Sequence, residues 1–262
     1  MEITGKTKIC AIIADPIHHV KTPQGINRLC EETGKDAVMV PVHVSSKDLI
    51  SVVNGFLAMQ NLAGFVITVP HKTAVAKLCD ELSDDAARME AVNVIRRSAD
   101  GKLHGAILDG KGFVAGLREE GIEPEGRSAY LVGAGGAASA IAYALAEAGV
   151  SRLTLANRTQ EKAEALRKRL AEAYPALPVS LGGRDPKGHD LVINATSLGL
   201  KEGDPLPLDV EGLTQEQIVA EIIMEPTETA LLKAAKSKGC TVQYGLPMLK
   251  NQLKLMAETM GL

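Results

Sequence analysis

The sequence predicts an α/β fold in which parallel sheets are joined by crossover helices. Across the 262 residues, short apolar runs rich in β-branched side chains alternate with longer segments of helical period. That alternation is typical of parallel strands connected by helices. The length suits one large or two ordinary domains. A glycine-rich turn at 133–136 also separates one apolar run from an alanine-rich helical segment, as at a strand-to-helix junction.

The first half contains three predicted strands, at 8–14, 37–43 and 64–69. Between the first two, Thr22 and Pro23 resemble a helix N-cap followed by proline at the first helical position, and Gly34 closes that helix. A second helix is predicted to open in the polar run at 45–48 and to reach about Gln60.

The second half repeats the alternation more plainly. The turn-rich stretch 119–126 is the candidate seam between the halves. A last helix at 248–260 carries a stripe of apolar residues that must pack on something. The predicted strands of this half are 129–132, 152–157, 191–195, 218–224 and 241–244.

Composition excludes several classes of protein. The net charge of −3 provides no basic field for nucleic acid. The N-terminus lacks a signal-peptide pattern, and no window approaches the ~18 apolar residues that span a bilayer, so we expect no membrane association. The four cysteines are scattered without a C-x-x-C pair, as in a reducing, cytoplasmic compartment. Without metal-ligand spacing or a G-x-S-x-G motif, we expect neither a metal site nor a serine hydrolase.

The glycine turn predicts a dinucleotide site in a Rossmann-type unit. Gly133, Gly135 and Ala138 fit the pattern G-x-G-x-x-A directly after a predicted strand. The first glycine permits a tight turn, the second lets the backbone approach a pyrophosphate, and the small third residue lets helix and strand pack closely. The pyrophosphate then lies at the helix N-terminus. The alternative is a glycine-rich turn without a ligand.

The end of the next strand indicates which dinucleotide is bound. Sites that prefer NAD place a carboxylate there for the ribose 2′-hydroxyl, whereas arginine accommodates the phosphate of NADP. This chain has Asn157, Arg158 and Thr159 at that point, with Lys162 one turn further along. The sequence therefore favours NADP, with NAD possible. Lys162 taken alone is better explained as a solvated helix lysine.

Several ordered segments together resemble the shikimate and quinate dehydrogenase family over nearly the whole chain. The resemblance implies an N-terminal α/β substrate domain (1–105 with 245–262) and a Rossmann-type NADP domain (106–244). It also implies hydride transfer between the nicotinamide and C3 of a cyclohexene or cyclohexane carboxylate. The matching segments are PIHHVKTP (16–23), GFVITVPHK (64–72), AVN (91–93), GAILDGKG (105–112), VGAGGAASA (132–140), NRT (157–159), INATSLG (193–199) and GLPMLKNQ (245–252).

The resemblance also assigns roles to individual residues. The family's catalytic lysine and aspartate correspond to Lys72 and Asp109. Its substrate-binding positions that are retained here are Thr22, Thr68, Asn93 and Gln252. To the cofactor residues named above it adds Gly136, Ala137, Thr196 and Gly245.

The chemistry explains why such a pair is needed. Hydride leaves an alcohol carbon only if the hydroxyl proton is removed in step, so a base of suitable pKa must reach that proton. A lysine partly desolvated in a cleft titrates nearer neutrality, and an adjacent carboxylate orients it. The alternatives are a surface lysine at a helix start for Lys72 and a helix N-cap for Asp109.

Five positions that are usually polar in the family are apolar here: Val20, Val66, Ile107, Leu108 and Met224. Each buried polar group of a substrate left unpaired costs roughly 1–3 kcal/mol. Two such losses weaken binding by about 100-fold or more. We therefore expect shikimate to be a poor substrate, and the natural substrate to carry fewer hydroxyls or to use a different anchor.

Three histidines offer such an anchor, since His18 and His19 flank the carboxylate-binding turn and His71 precedes Lys72. A purely structural role at that turn is equally compatible with the sequence. Two further alternatives stay open: a ligand-sensing relative without turnover, and either a monomer or a homodimer as the assembly. The retained Lys72 and Asp109 speak against the sensor, because a sensor needs no proton-transfer pair.

Overall fold

The structure is a computed structural model that describes residues 2–18 and 20–262. Within these residues the chain forms two units, one ending at Leu108 and taking in Gln252–Leu262, the other covering Asp109–Asn251. The strands are β1 (Lys8–Ala14), β2 (Ala37–His43), β3 (Leu62–Ile67), β4 (Glu81–Leu82), β5 (Val94–Arg97), β6 (Leu103–Ala106), β7 (Ser128–Val132), β8 (Arg152–Ala156), β9 (Val179–Leu181), β10 (Leu191–Asn194), β11 (Ile218–Glu221) and β12 (Thr241–Gln243).

The helices of the described residues connect these strands. They are α1 (Thr22–Thr33), α2 (Leu49–Ala58), α3 (Lys72–Ala76), α4 (Asp84–Met89), α5 (Asp109–Glu119), α6 (Gly136–Glu147), α7 (Gln160–Ala173), α8 (Ala230–Ser237) and α9 (Leu246–Met260). None of the helices in the described part of the chain combines the length and the apolar character that a bilayer span requires.

The first unit contains a mixed six-stranded sheet in the order β2-β1-β3-β5-β6-β4. Strands β1, β2 and β3 are parallel, as expected, but β5 runs antiparallel to both β3 and β6. The β5–β6 hairpin was not predicted. Its strands have four residues each and carry Arg96, Arg97 and His104, so they lack a clear apolar alternation.

Two hydrophobic clusters cover the two faces of this sheet. Successive side chains of β1 alternate between them, as the pleat requires. The face towards α2, α3 and α4 contains, among others, Ala11, Ile13, Phe65, Ile67 and Ile107. The opposite face, called here the α1/α9 cluster, is formed by Cys10, Ile12, Ile26, Cys30, Ala37, Met39, Val66, Val94, Leu108, Met256, Ala257 and Met260. Met256 and Met260 of the last helix's apolar stripe are thereby buried, and Leu253 packs against the same cluster.

The second unit contains an all-parallel sheet in the order β12-β11-β10-β7-β8-β9. Every residue of β7 and β10 is buried, as expected for strands covered by helices on both faces. The strand order reverses between β7 and β10, which is the doubly wound arrangement of dinucleotide-binding folds. The structure confirms the predicted α/β fold class with a Rossmann-type second unit.

Element boundaries differ from the prediction for local reasons. Strand β11 ends at Glu221 rather than at residue 224, because the Glu221 carboxylate accepts the backbone N–H groups of Ile222 and Ile223. Thr22, predicted as the N-cap of α1, is already helical, and Lys21 occupies the N-cap position. Gly34 ends α1 in the left-handed conformation, as predicted.

Candidate active site

The turn between β3 and α3 presents Lys72 at the carboxyl edge of the first sheet. The His71 N–H donates to the Thr68 carbonyl at 3.0 Å, and the Val75 N–H donates to the His71 carbonyl at 3.0 Å, which fixes the turn and starts the helix. Lys72 is the first helical residue and is half-buried. Thr68 is half-buried in the same turn.

His71 has a structural role in this turn. Its side chain is 1% exposed, and Nε2 lies 2.8 Å from the Val44 carbonyl oxygen. A carbonyl only accepts, so Nε2 carries the proton and donates. The ring therefore anchors the Lys72 turn to the core and is not exposed to bind an anion from solvent. His18 is exposed. His19 lies outside the described residues.

Asn93 presents an unusual buried amide. Its Oδ1 accepts the Leu108 N–H at 2.9 Å, and its backbone is paired to Ala106 and Ile67 at 2.9 Å each. The hydrogen bond from Leu108 fixes which end of the amide is the acceptor, and Nδ2 is left buried without a partner in the described structure. A buried unpaired donor costs about 1–3 kcal/mol. Nδ2 is therefore a donor suited to a ligand oxygen.

Three of the apolar replacements pack together in the first unit. Val66 and Leu108 belong to the α1/α9 cluster, and Val20 packs against it. All three side chains are therefore part of, or adjacent to, one hydrophobic cluster. Ile107 points to the opposite face of the sheet and belongs to the other cluster. Met224, in the second unit, is 42% exposed.

The remaining predicted substrate residues lie at helix positions. Thr22 is the first residue of α1 and is half-buried. Gln252, on α9, is 8% exposed. Beside it, Leu253 lies so close to Gly25 of α1 that a Cβ at Gly25 would collide with the leucine side chain. Thr22 and Gln252 therefore flank a tightly packed contact between α1 and the end of α9.

Asp109 begins α5 in the second unit and is 9% exposed. The following residue, Gly110, packs directly on α6, since a Cβ there would collide with the Ala140 carbonyl. Only glycine permits this approach of the two helices. The backbone that carries the Asp109 carboxylate is consequently held in place by the contact between α5 and α6.

The glycine turn has the geometry that a pyrophosphate site requires. Gly133 is buried with φ +121, and a Cβ there would lie 2.7 Å from the Ala195 carbonyl oxygen. Gly135 and Gly136 are exposed at the start of α6, and a Cβ at either position would have no neighbouring atom within 4 Å. No side chain caps this helix, and no acid lies in its first turn. Its N-terminal amides, with Ala137 half-buried beside them, are thus free for an anion.

The end of β8 carries two exposed cations. Asn157 closes the turn by donating from Nδ2 to the Thr159 carbonyl at 2.7 Å. Arg158 and Lys162 are exposed, and neither forms an ion pair within the described residues. Both are available to a phosphate ester at this edge. The geometry of both phosphate subsites fits NADP.

A buried carboxylate that sequence analysis missed lies at the end of β11. Glu221 is 0% exposed, and its oxygens accept from Asn194 Nδ2 (3.0 and 3.1 Å), Ile222 N (2.9 Å), Ile223 N (3.1 Å) and Thr229 Oγ1 (3.1 Å). Burial raises the pKa of the Glu221 carboxyl, and these donors offset part of that effect. A single acid ending an otherwise apolar strand was the signal available in the sequence.

Thr196 and Gly245, two predicted cofactor residues, adjoin this carboxylate. Thr196 Oγ1 donates to Asn194 Oδ1 at 2.7 Å and accepts the Leu198 N–H at 3.0 Å. Gly245 lies against the chain after β11, where a Cβ would collide with the Ile223 carbonyl. In the described residues, no group of three or more His, Cys, Asp or Glu side chains has the geometry of a metal site.

Comparisons with known proteins identify the family of the chain. A family model described as the shikimate dehydrogenase substrate binding domain matches residues 12–95, and one described as shikimate / quinate 5-dehydrogenase matches residues 118–199. The chain is 40% identical over 255 residues to a shikimate dehydrogenase (NADP(+)) of Rubrobacter xylanophilus, which covers 95% of this chain and 89% of that relative.

Two solved structures share the fold over nearly the whole chain. A shikimate 5-dehydrogenase from Listeria monocytogenes, in complex with shikimate and NAD, superposes with a TM-score of 0.93 at 33% identity, covering 100% of this chain and 94% of that chain. The ligand-free 5-ketofructose reductase of Gluconobacter sp. strain CHM43 superposes with a TM-score of 0.91 at 34% identity, covering 97% and 93%. The chain belongs to the shikimate dehydrogenase family of NAD(P)-dependent oxidoreductases.

Proposed function

We propose that this protein is an NADP-dependent dehydrogenase that interconverts the C3 alcohol and ketone of a ring carboxylate of the shikimate or quinate type. The observation that carries the proposal is the similarity over 95% of the chain to a relative named for NADP-dependent shikimate oxidation. The candidate catalytic pair and the two phosphate subsites described above are all retained in this chain.

The cofactor is held by the edge of the second sheet. The uncapped start of α6, from Gly135 to Ala137, receives the pyrophosphate, and Arg158 with Lys162 receives the 2′-phosphate. The open space at Gly135 and Gly136 supports this assignment. When bound, NADP supplies the hydride acceptor for alcohol oxidation and, once reduced, the hydride donor for the reverse reaction.

Lys72 and Asp109 serve the proton transfer of the reaction. In ketone reduction, the Lys72 ammonium donates a proton to the substrate oxygen as hydride reaches the carbon, and in alcohol oxidation the neutral amine takes the hydroxyl proton back. We assign the Asp109 carboxylate to the same proton transfer, as the family resemblance implies. The position of Lys72 at the start of α3, in the turn fixed by His71, supports this assignment.

The substrate is held by the first unit. Thr22, Thr68, Asn93 and Gln252 supply the hydrogen bonds, and the orphan Nδ2 of Asn93 gives the clearest support. The side chains of Val20, Val66 and Leu108 carry no polar group that could pair with additional hydroxyls. We therefore propose that the preferred substrate carries fewer hydroxyls than shikimate. A relative named for 5-ketofructose reduction shares this fold, so the family fold is compatible with more than one substrate.

We assign residues 1–105 with 245–262 to the substrate domain and 106–244 to the NADP domain. The two units of the fold described above support this division. We also place the enzyme in the cytoplasm. All four cysteines are free, and Cys10, Cys30 and Cys240 are buried, which suits a reducing compartment.

The experiment that tests the proposal is Lys72→Ala with Lys77→Ala as its control. Lys77 is an exposed lysine directly after the same short helix. We expect Lys72→Ala to lower kcat by about 10²–10⁴-fold, the usual contribution of general acid–base catalysis. Its Kd for NADPH, measured by fluorescence titration, should stay within about twofold of the parent value, because Lys72 does not hold the cofactor.

Lys77→Ala should retain both the parent kcat and the parent Kd. Parent-like turnover by Lys72→Ala would remove the lysine from the mechanism. A parent chain that binds NADPH but turns over no ring alcohol or ketone would instead indicate a ligand sensor.

A further inference from the structure

Glu221 is a buried carboxylate to which the proposed mechanism assigns no task. It is 0% exposed at the end of β11 and forms no ion pair within the described part of the chain. All its hydrogen-bond partners are neutral donors. Burying a carboxylate without a cation is costly unless its hydrogen bonds are nearly complete. Its hydrogen bonds must therefore hold parts of the chain that an apolar side chain could not hold.

The donors to Glu221 come from three separate segments of the chain. Asn194 ends β10, Ile222 and Ile223 directly follow β11, and Thr229 caps α8. Thr229 accepts the Leu232 N–H through the same hydroxyl that donates to Glu221, so its cap geometry is coupled to the carboxylate. One side chain thereby ties together the carboxyl ends of two neighbouring strands and the start of a helix.

The sheet order locates this junction relative to the cofactor. In doubly wound sheets, the ligand lies outside the carboxyl ends of the strands where the order reverses. Strand β8, with Arg158 at its end, lies on one side of β7, and β10 and β11 lie on the other. A dinucleotide bound with its 2′-phosphate at Arg158 would then have its nicotinamide half towards β10 and β11. These are the strands whose carboxyl ends Glu221 joins.

The segments held by Glu221 include two candidate cofactor residues. Asn194 donates to Glu221 through Nδ2 and accepts from the Thr196 N–H (3.1 Å) and hydroxyl (2.7 Å) through Oδ1, so its amide orientation is fixed from both ends. Nδ2 also donates to the Leu198 carbonyl at 3.0 Å. On the other side, Gly245 packs on the Ile223 backbone. Moving the carboxylate would therefore release both the 194–198 segment and the backbone at Ile223.

We propose that Glu221 is a positioning residue that holds the 194–198 and 222–223 segments in the geometry that binds the nicotinamide half of NADP. This inference rests on the proposed function, since it assumes NADP as the cofactor. It assigns to the carboxylate a selective effect on one half of the dinucleotide. A residue that merely stabilises the fold would affect both halves alike.

The test compares two probes on the full chain of Glu221→Gln. NADPH contains both halves of the cofactor, whereas adenosine 2′,5′-bisphosphate contains the adenosine 2′-phosphate without nicotinamide. The amide replaces one acceptor oxygen by a donor that faces other donors. We expect the Kd for NADPH to rise at least about tenfold, the loss of one charge-assisted hydrogen bond. The Kd for the bisphosphate should stay within about twofold.

Glu216→Gln is the matched control, since Glu216 is an exposed glutamate shortly before the other end of β11. It should leave both dissociation constants unchanged. Equal weakening of both probes by Glu221→Gln, or no weakening of NADPH, would overturn the positioning role. A parent chain that binds neither probe would instead contradict the NADP assignment itself, and this inference with it.

Thr229→Val and Thr229→Ser provide a milder pair, which decides the question if Glu221→Gln does not fold. Valine removes the hydroxyl donor to Glu221 with little change in shape, and serine keeps it. We expect valine to raise the Kd for NADPH at least about threefold without changing that for the bisphosphate, and serine to resemble the parent. Identical NADPH affinities of the two variants would contradict the proposal.

Discussion

Asn93 illustrates how a single side chain combines a structural and a binding task. Its Oδ1 satisfies the Leu108 N–H, and this bond leaves Nδ2 as a donor without a partner in the described structure. The protein thus retains an unpaired buried donor that a substrate oxygen can satisfy. The resemblance assigned the residue to substrate binding, but only coordinates show which atom of the amide is available.

We predict that Asn93→Leu has two separate effects. Leucine leaves the buried Leu108 N–H unpaired, so the free energy of unfolding should fall by about 1–3 kcal/mol in urea denaturation. It also removes the Nδ2 donor, so the KM for the ring substrate should rise while the Kd for NADPH is unchanged. Asn54→Leu, at an exposed position of α2, is the control. An unchanged KM in Asn93→Leu would remove Nδ2 from substrate binding.

Arg158 should determine the preference between the two dinucleotides. The guanidinium has no ion pair in the described structure, so its removal exposes no buried partner. We predict that Arg158→Gln raises the KM for NADP by about 10–100-fold, the equivalent of one or two charge-assisted hydrogen bonds, and leaves that for NAD unchanged. Parallel loss with both cofactors in steady-state assays would indicate that Arg158 contacts something other than the 2′-phosphate.

Two glycines in the turn between β7 and α6 have different roles, one in stability and one in binding. Gly133 has φ +121 and faces the Ala195 carbonyl, whereas Gly135 has φ −85 and faces open space. We predict that Gly133→Ala lowers the free energy of unfolding by at least about 1–3 kcal/mol. Gly135→Ala should keep the parent stability but weaken NADPH binding, because its methyl group occupies the approach of the pyrophosphate.

Urea denaturation and NADPH titration of both variants check this division. Gly135→Ala that binds NADPH as tightly as the parent would place the pyrophosphate elsewhere. Gly133→Ala with unchanged stability would contradict the described turn.

The elements that the sequence predicted well are those with a single local cause. The alternating apolar residues of β1 and the end of α1 at Gly34 depend on neighbours within one or two turns. The β5–β6 hairpin depends on pairing between separate segments and was not predicted, and β11 ends at Glu221 rather than at the predicted residue 224. In the site, motifs identified the nucleotide turn, whereas the Asn194–Glu221–Thr229 network requires three segments to meet.

The folded molecule as a whole should respond to pH through Glu221. Burial raises the pKa of this carboxyl in the folded chain above its ordinary value of 4.5. The folded state therefore holds this proton more tightly than the unfolded state. The contribution of Glu221 to stability is full below the ordinary pKa and is lost as pH rises through the raised folded pKa. Glutamine does not ionise and carries no such loss.

We predict that the stability of Glu221→Gln relative to the parent increases as pH rises from about 4.5 through the folded pKa, and then levels off. Free energies of unfolding of both proteins, measured in urea between about pH 5 and pH 8, give this difference directly. Glu216→Gln, at an exposed position, is the control variant. A difference that falls with pH would show that the hydrogen bonds of Glu221 outweigh its burial.

Under the proposed function, this protein oxidises a ring alcohol with NADP and prefers a substrate with fewer hydroxyls than shikimate. The direct measurement is kcat/KM with NADP for shikimate, quinate and ring carboxylates that carry a single hydroxyl at the position of oxidation. We predict NADPH formation, with kcat/KM for a singly hydroxylated acid at least about tenfold above that for shikimate. Shikimate turned over as efficiently as any other member, or no NADPH formed with any of them, would contradict the account.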